Sequence, residues 1–144
     1  MLYAHDILSI LEPAAPYSWL DSVTRRGLVK PSIAEATGHG SRRRYNDEDA
    51  LALTVIWRLA VAKMPTGVQR TVADYLQSFP SFPTAGTVLV TDGETATFTT
   101  TSRISSLSAA KGILVVIPIV QLRTQVQHNL EHLLASRNTS REER

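Results

Sequence analysis

The chain has 144 residues, 43% of them hydrophobic and 19% charged, with a net charge of +2. That length and balance suit one ordinary folded domain or two small ones and argue against wholesale disorder. The absence of cysteine excludes disulfides, thiolate metal sites and cysteine nucleophiles. No apolar run reaches the ~18 residues of a membrane span, and "MLYAHDILSILEP" lacks a basic leader region, so no secretory signal is read and a cytoplasmic protein is expected.

In chain order, the first expected helix covers about 4–11, with Ile7, Leu8, Ile10 and Leu11 as its apolar members. "EPAAP" ends it, and Pro16 suits the start of a second helix over 16–26. Gly27 is a natural left-handed stop. Two short helices joined by a tight turn make a helix-turn-helix candidate. Residues 28–46 have no helical period and read as a hairpin-like wing. Asn46 is expected to cap the next helix, with Asp49 closing a capping box and Asp47 and Glu48 at the positive end of the helix dipole. Leu53, Ile56, Trp57 and Ala60 then predict a helix that buries one face and ends at Pro65 and Gly67. A fourth helix is expected over 67–78.

"FPSFPTAG" at 79–86 reads as a connector. Asp92-Gly93 between two β-prone runs predicts a two-residue hairpin turn. A polar helix at about 102–110, a strand at 113–117 and a helix at about 119–136 complete a β-β-α-β-α order. The fold class is therefore α+β: a winged helix-turn-helix unit at 1–79, a small module at 85–137, and a polar tail at 138–144 that frays.

Charge is unevenly placed. Between Arg25 and Arg44 lie six basic residues and one acid, a candidate footprint for nucleic acid. "RRRYNDED" then reverses sign within a few positions. Acids that serve the following helix N-terminus leave the arginines on the wing free to meet a polyanion. His128 and His132 stand four apart on the last helix, but no HExxH pattern accompanies them and no metal or cofactor is expected.

"WLDSVTRRGLVKPSIAEATGHGSRRRYNDEDALAL" resembles the MerR-type winged helix-turn-helix over about residues 5–63. The carrying residues are Arg25-Arg26-Gly27-Leu28-Val29-Lys30-Pro31-Ser32, Gly40-Ser41-Arg42-Arg43-Arg44-Tyr45 and Asn46-Asp47-Glu48-Asp49. The resemblance implies a transcriptional regulator that binds double-stranded DNA as a homodimer or repeated oligomer, with no enzymatic step. It places the second helix in the major groove and the wing on the flanking backbone. Tyr17, Ser18 and Trp19 would form the exposed first turn of that helix, although Trp19 also suits packing between the first two helices. Arg25 and Arg26 would lie near its end. By position Arg43 would be the wing arginine that meets phosphate, with at least one of Arg42, Arg43 and Arg44 in contact and Lys30 a further candidate, and Tyr45 would pack the wing onto the core. Asp21 departs from the family, where an arginine is common, and is expected to orient an arginine. The 85–137 module has no place in the family plan. It leaves open dimerisation, a protein partner or a small-molecule effector. Two rival readings are a DNA-binding antitoxin that regulates its own synthesis and a phage recombination-directionality factor.

Overall fold

The computed structural model describes residues 1–33, 43–78, 86–104, 106 and 114–143. Among these are five α-helices and a three-stranded antiparallel sheet, an α+β arrangement compatible with a helix-turn-helix fold.

Helix α1 spans Ala4–Ile10 and α2 spans Tyr17–Arg25. The α1 start is fixed by Asp6, whose carboxylate accepts from the Tyr3 N–H at 2.7 Å. The α2 end is a Schellman closure. Gly27 sits at φ +70°, its N–H bonds to Thr24, and the Leu28 N–H reaches back to Val23 at 3.1 Å. A residue with a Cβ would be strained at that φ.

Helix α3 spans Asp47–Val61. Its expected capping box is present: the Asp49 N–H donates to Asn46 at 2.8 Å and the Asn46 N–H to Asp49 at 3.0 Å. The expectation of a single buried face was too modest. Every residue from Asp49 to Ile56 is buried, as is Leu59. The reason is position: α4 packs on one side, the last helix packs on another, and Trp57 meets Trp19 of α2 edge-on at 4.8 Å. Helix α3 ends at Val61 through Lys63, which adopts φ +62°. Helix α4, Thr66–Ser78, starts one residue earlier than expected, so Gly67 lies inside it and does not terminate α3.

Strands β1 (Thr87–Thr91), β2 (Ala96–Thr100) and β3 (Val115–Ile117) form a sheet of order β2-β1-β3. Thr91 pairs with Ala96, so the hairpin loop is Asp92-Gly93-Glu94-Thr95, longer than the two-residue turn expected. The longer loop wins because the Asp92 carboxylate accepts from the N–H groups of Glu94 and Thr95 at 2.9 and 2.8 Å. Leu89 lies opposite both Phe98 and Ile117. Leu89 and Ile117 join the core, and Phe98 packs on Tyr75 of α4. A short 3-10 turn, Thr101–Arg103, follows β2. The polar helix expected at 102–110, the start of the strand expected at 113, and most of the connector at 79–86 lie largely outside the described residues.

The last helix, α5, covers Ile119–Glu142. Its 24 residues make a rod of roughly 36 Å. The tail expected to fray from 138 is helical through Glu142. Arg137 explains part of this, because it reaches back to Asp6, a fully buried acid at the start of α1. Helix α5 packs against α3, α1 and β1, and Arg123 pairs with Glu48 at 3.1 Å. Buried residues from Leu2 to Leu130 form one hydrophobic cluster that joins the first four helices to the sheet and α5.

Candidate nucleic-acid interface

The candidate surface starts from the period of α2. Leu20, Val23 and Thr24 are buried. Tyr17, Ser18, Ser22 and Arg25 are exposed, and Asp21 is partly exposed between them. At 3.6 residues per turn, positions 17, 18, 21, 22 and 25 fall on one outward face. Trp19 points away from it, packed on Trp57. The packing role weighed for Trp19 is the one its side chain has here.

The second part of the surface is the chain that returns into α3. Tyr45 is completely buried. It exchanges two backbone hydrogen bonds with Leu2, at 2.8 and 3.0 Å, and its hydroxyl lies 3.3 Å from the Thr24 hydroxyl of α2. Burial pushes the Tyr45 phenol up, so it stays protonated and polar contact is limited to its neighbours. Tyr45 therefore holds its segment against α2 from inside and is not itself a surface contact.

Asp49 clamps the other strand of that loop. It is 1% exposed. Its carboxylate accepts from the Ser32 N–H at 2.8 Å and the Ser32 hydroxyl at 2.5 Å, besides closing the α3 cap. Gln77 of α4 binds the backbone of Lys30 from both sides, at 3.3 and 3.0 Å. The Lys30 side chain stays exposed. Ile33 then donates to the Arg44 carbonyl at 3.3 Å. These bonds fix both flanks of the expected wing. Its tip at 34–42, including His39 and Arg42, lies outside the described residues.

The arginines divide by environment. Arg43 Nη1 bonds to Asp21 Oδ1 at 2.7 Å, and Arg25 Nη2 meets Asp21 Oδ2 at 2.9 Å. Asp21 thus orients two arginines, where one was expected. The Arg43 side chain is only 19% exposed, whereas that of Arg25 is 74% exposed. The Arg43 hydrogen bond lowers the Asp21 carboxyl against the smaller opposing effect of burial, with the Arg25 and Arg43 charges adding to the lowering. Burial pulls the Arg43 guanidinium down, but its bond to Asp21 and the nearby charges leave it raised, so its charge is permanent. Arg44 and Arg26 are exposed, the latter with its Nε 3.4 Å from the Ser22 carbonyl.

Two contributors were not singled out from the sequence. Tyr3 and His5, at the start of α1, stack at 6.1 Å. With Tyr17, Asp21, Arg25 and Arg43 they border an open groove of about 470 Å³ between α1, α2 and the returning chain. Nothing in their local pattern marks them, because the groove exists only once α1 lies beside α2. His128 and His132 stack edge-on at 4.8 Å. Among the described residues no group of three metal-binding side chains forms, and no helix is long and apolar enough to cross a membrane.

No protein-family model matches the chain. It is 36% identical over 83 residues to uncharacterized HTH-type transcriptional regulators from Mycobacterium bovis and from two strains of Mycobacterium tuberculosis. The match takes in 55% of this chain and 35% of each relative, so the chain spans about a third of the length of the curated relatives it matches. With its two short helices, tight turn and basic flank, the chain is similar to regulators named for the helix-turn-helix.

Proposed function

We propose that the protein is a DNA-binding transcriptional regulator of the MerR-like winged helix-turn-helix class. Helix α2 enters the major groove with Tyr17, Ser18, Ser22 and Arg25 outward. Arg43 and Arg44 lie toward the flanking phosphates, Arg26 and Lys30 extend the basic edge, and Arg42, outside the described residues, is proposed as a further phosphate contact. The observation that carries this reading is the junction of the two parts. Asp21 on the outward face of α2 lies 2.7 Å from Arg43 of the returning chain, so the two parts meet at one surface. That junction is held from below by buried Tyr45 and Asp49. A surface rigid enough to keep its register is what phosphate contacts need in order to position a helix. The names of the mycobacterial relatives favour the broader part of this reading, a helix-turn-helix transcriptional regulator.

Residues 1–79 would form the DNA-binding part. The 85–137 module, packed on it through α5, would serve homodimerisation, a protein partner or a small-molecule effector. Regulation would act through promoter occupancy or reshaping, with no enzymatic step. Base-edge readout by this α2 face is sparse, so DNA shape would contribute to specificity.

The test is binding to the protein's own upstream duplex and to an unrelated duplex across a salt series. Wild type is expected to bind saturably and to prefer the upstream site. Arg44→Ala is expected to reduce the log–log salt slope by about 0.9, the loss of one phosphate contact. Absence of binding to either duplex at low salt would overturn the reading.

A further inference from the structure

An acid in the middle of a DNA-facing helix needs a reason. Asp21 lies on the outward face of α2 and touches two cations from different elements. Each of its carboxylate oxygens has its own arginine, at 2.7 Å from Arg43 and 2.9 Å from Arg25. Two anionic oxygens shared between guanidinium groups reproduce the way a phosphate diester is gripped.

The charge balance is equally specific. Arg25 and Arg43 carry two positive charges and Asp21 removes one. Core packing does not require this acid, because its side chain is 22% exposed and sits at the rim of the groove. The fold does not need it as a helix cap either, since α2 starts at Tyr17 and ends at Arg25.

Resting on the DNA-binding reading above, we propose that Asp21 is a specificity-determining residue. It occupies Arg25 and Arg43 as an internal phosphate substitute that duplex DNA must displace. Any duplex offers phosphates to the two arginines. Displacement, however, leaves a carboxylate facing the major groove with its partners withdrawn. A duplex that repels or ignores that carboxylate gains little. A site that presents an amino group there, such as the cytosine N4 donor, satisfies it. The internal ion pairs therefore weaken binding to unrelated sequence more than binding to the proper site.

Asp21→Asn separates charge from geometry, because the amide oxygen still accepts from Arg43. Asp21→Ala removes both. Each variant, with wild type, is titrated with the upstream duplex and with a random duplex across a salt series, and its fold is checked by circular dichroism and thermal melting. Asp21→Asn is expected to steepen the salt slope on random DNA by about 0.9. With affinities converging near 1 M salt, that slope is about eightfold tighter binding at 0.1 M. The upstream-to-random affinity ratio is expected to fall several-fold. Asp21→Ala is expected to steepen the slope in the same direction.

If both variants bind random DNA no more tightly than wild type, or with an unchanged slope, Asp21 only positions the arginines and the proposal falls while the DNA-binding reading stands. Tighter binding with an unchanged upstream-to-random ratio overturns the specificity role. If neither wild type nor Asp21→Asn binds any duplex, the DNA-binding reading falls and the proposal falls with it.

Discussion

Three neighbouring acids do three different jobs. Asp47 is exposed in the first turn of α3, Glu48 pairs with Arg123 of α5, and Asp49 is buried at the meeting point of Ser32, Asn46 and Gln77. Asp49→Ala would remove the capping box and leave the Ser32 N–H without its acceptor. A loss of roughly 1–3 kcal/mol is expected, from the cap and the part-buried bonds to Ser32, read by urea unfolding. The paired carboxylate of Asp21 has a pH signature. Its pKa lies below the ordinary 3.8, so its stabilising contribution is complete above the unfolded value and is lost as pH falls through the lower folded one. The stability difference between wild type and Asp21→Asn is expected to hold level from about pH 7 to about pH 5 and to shrink below about pH 4. Thermal melts of both proteins across that range would show it.

Among elements, the α3 terminus and α5 are the informative cases. Lys63 closes α3 in the left-handed region, with the Met64 N–H bonded to Leu59 and its own N–H to Ala60. That is the geometry Gly27 supplies after α2, and glycine adopts it without a Cβ penalty. Lys63→Gly is expected to stabilise the protein by about 0.5–1 kcal/mol, measured as a higher urea midpoint. At the far end of α5, Arg137 accompanies Asp6, which has no exposed surface. Breaking such a pair leaves the buried carboxylate to the Tyr3 N–H and His5, and because Arg137 is itself 36% exposed solvent screens part of the loss. Arg137→Ala is expected to cost about 1–2 kcal/mol after that discount. A tail that merely frayed would show no change in the same denaturation experiment.

At the scale of the molecule, the hydrophobic cluster shared by helices and sheet among the described residues has a direct consequence. Leu89 of β1 and Leu130 of α5 belong to the same core as Leu20 and Leu53. Both tryptophans, Trp19 and Trp57, lie in the first four helices. Their fluorescence and far-ultraviolet circular dichroism are expected to report one coincident unfolding transition. Leu89→Ala should lower both midpoints together by about 2–5 kcal/mol of stability, as a fully buried leucine does. A shift seen by dichroism and not by fluorescence would mean that the sheet unfolds separately from the helices.

What the sequence determined by itself is the set of local structures. The Gly27 stop, the Asn46–Asp49 box and the β1–β2 hairpin each depend on contacts within a few residues, which chain order alone dictates. The family resemblance puts Tyr17, Ser18 and Trp19 in an exposed first turn of α2; Tyr17 and Ser18 are exposed, whereas Trp19 packs on Trp57. Tertiary structure decided everything that joins distant residues. Asp21 meets Arg43 across 22 positions, Lys30 meets Gln77 across 47, and His5 meets Arg137 across 132. The burial of α3 on nearly all sides and the helical tail belong here too. A periodic pattern tells which residues avoid water, but not how many elements arrive to cover them. Long-range ion pairs leave no local trace, because their partners are chosen by packing and desolvation after the chain has folded.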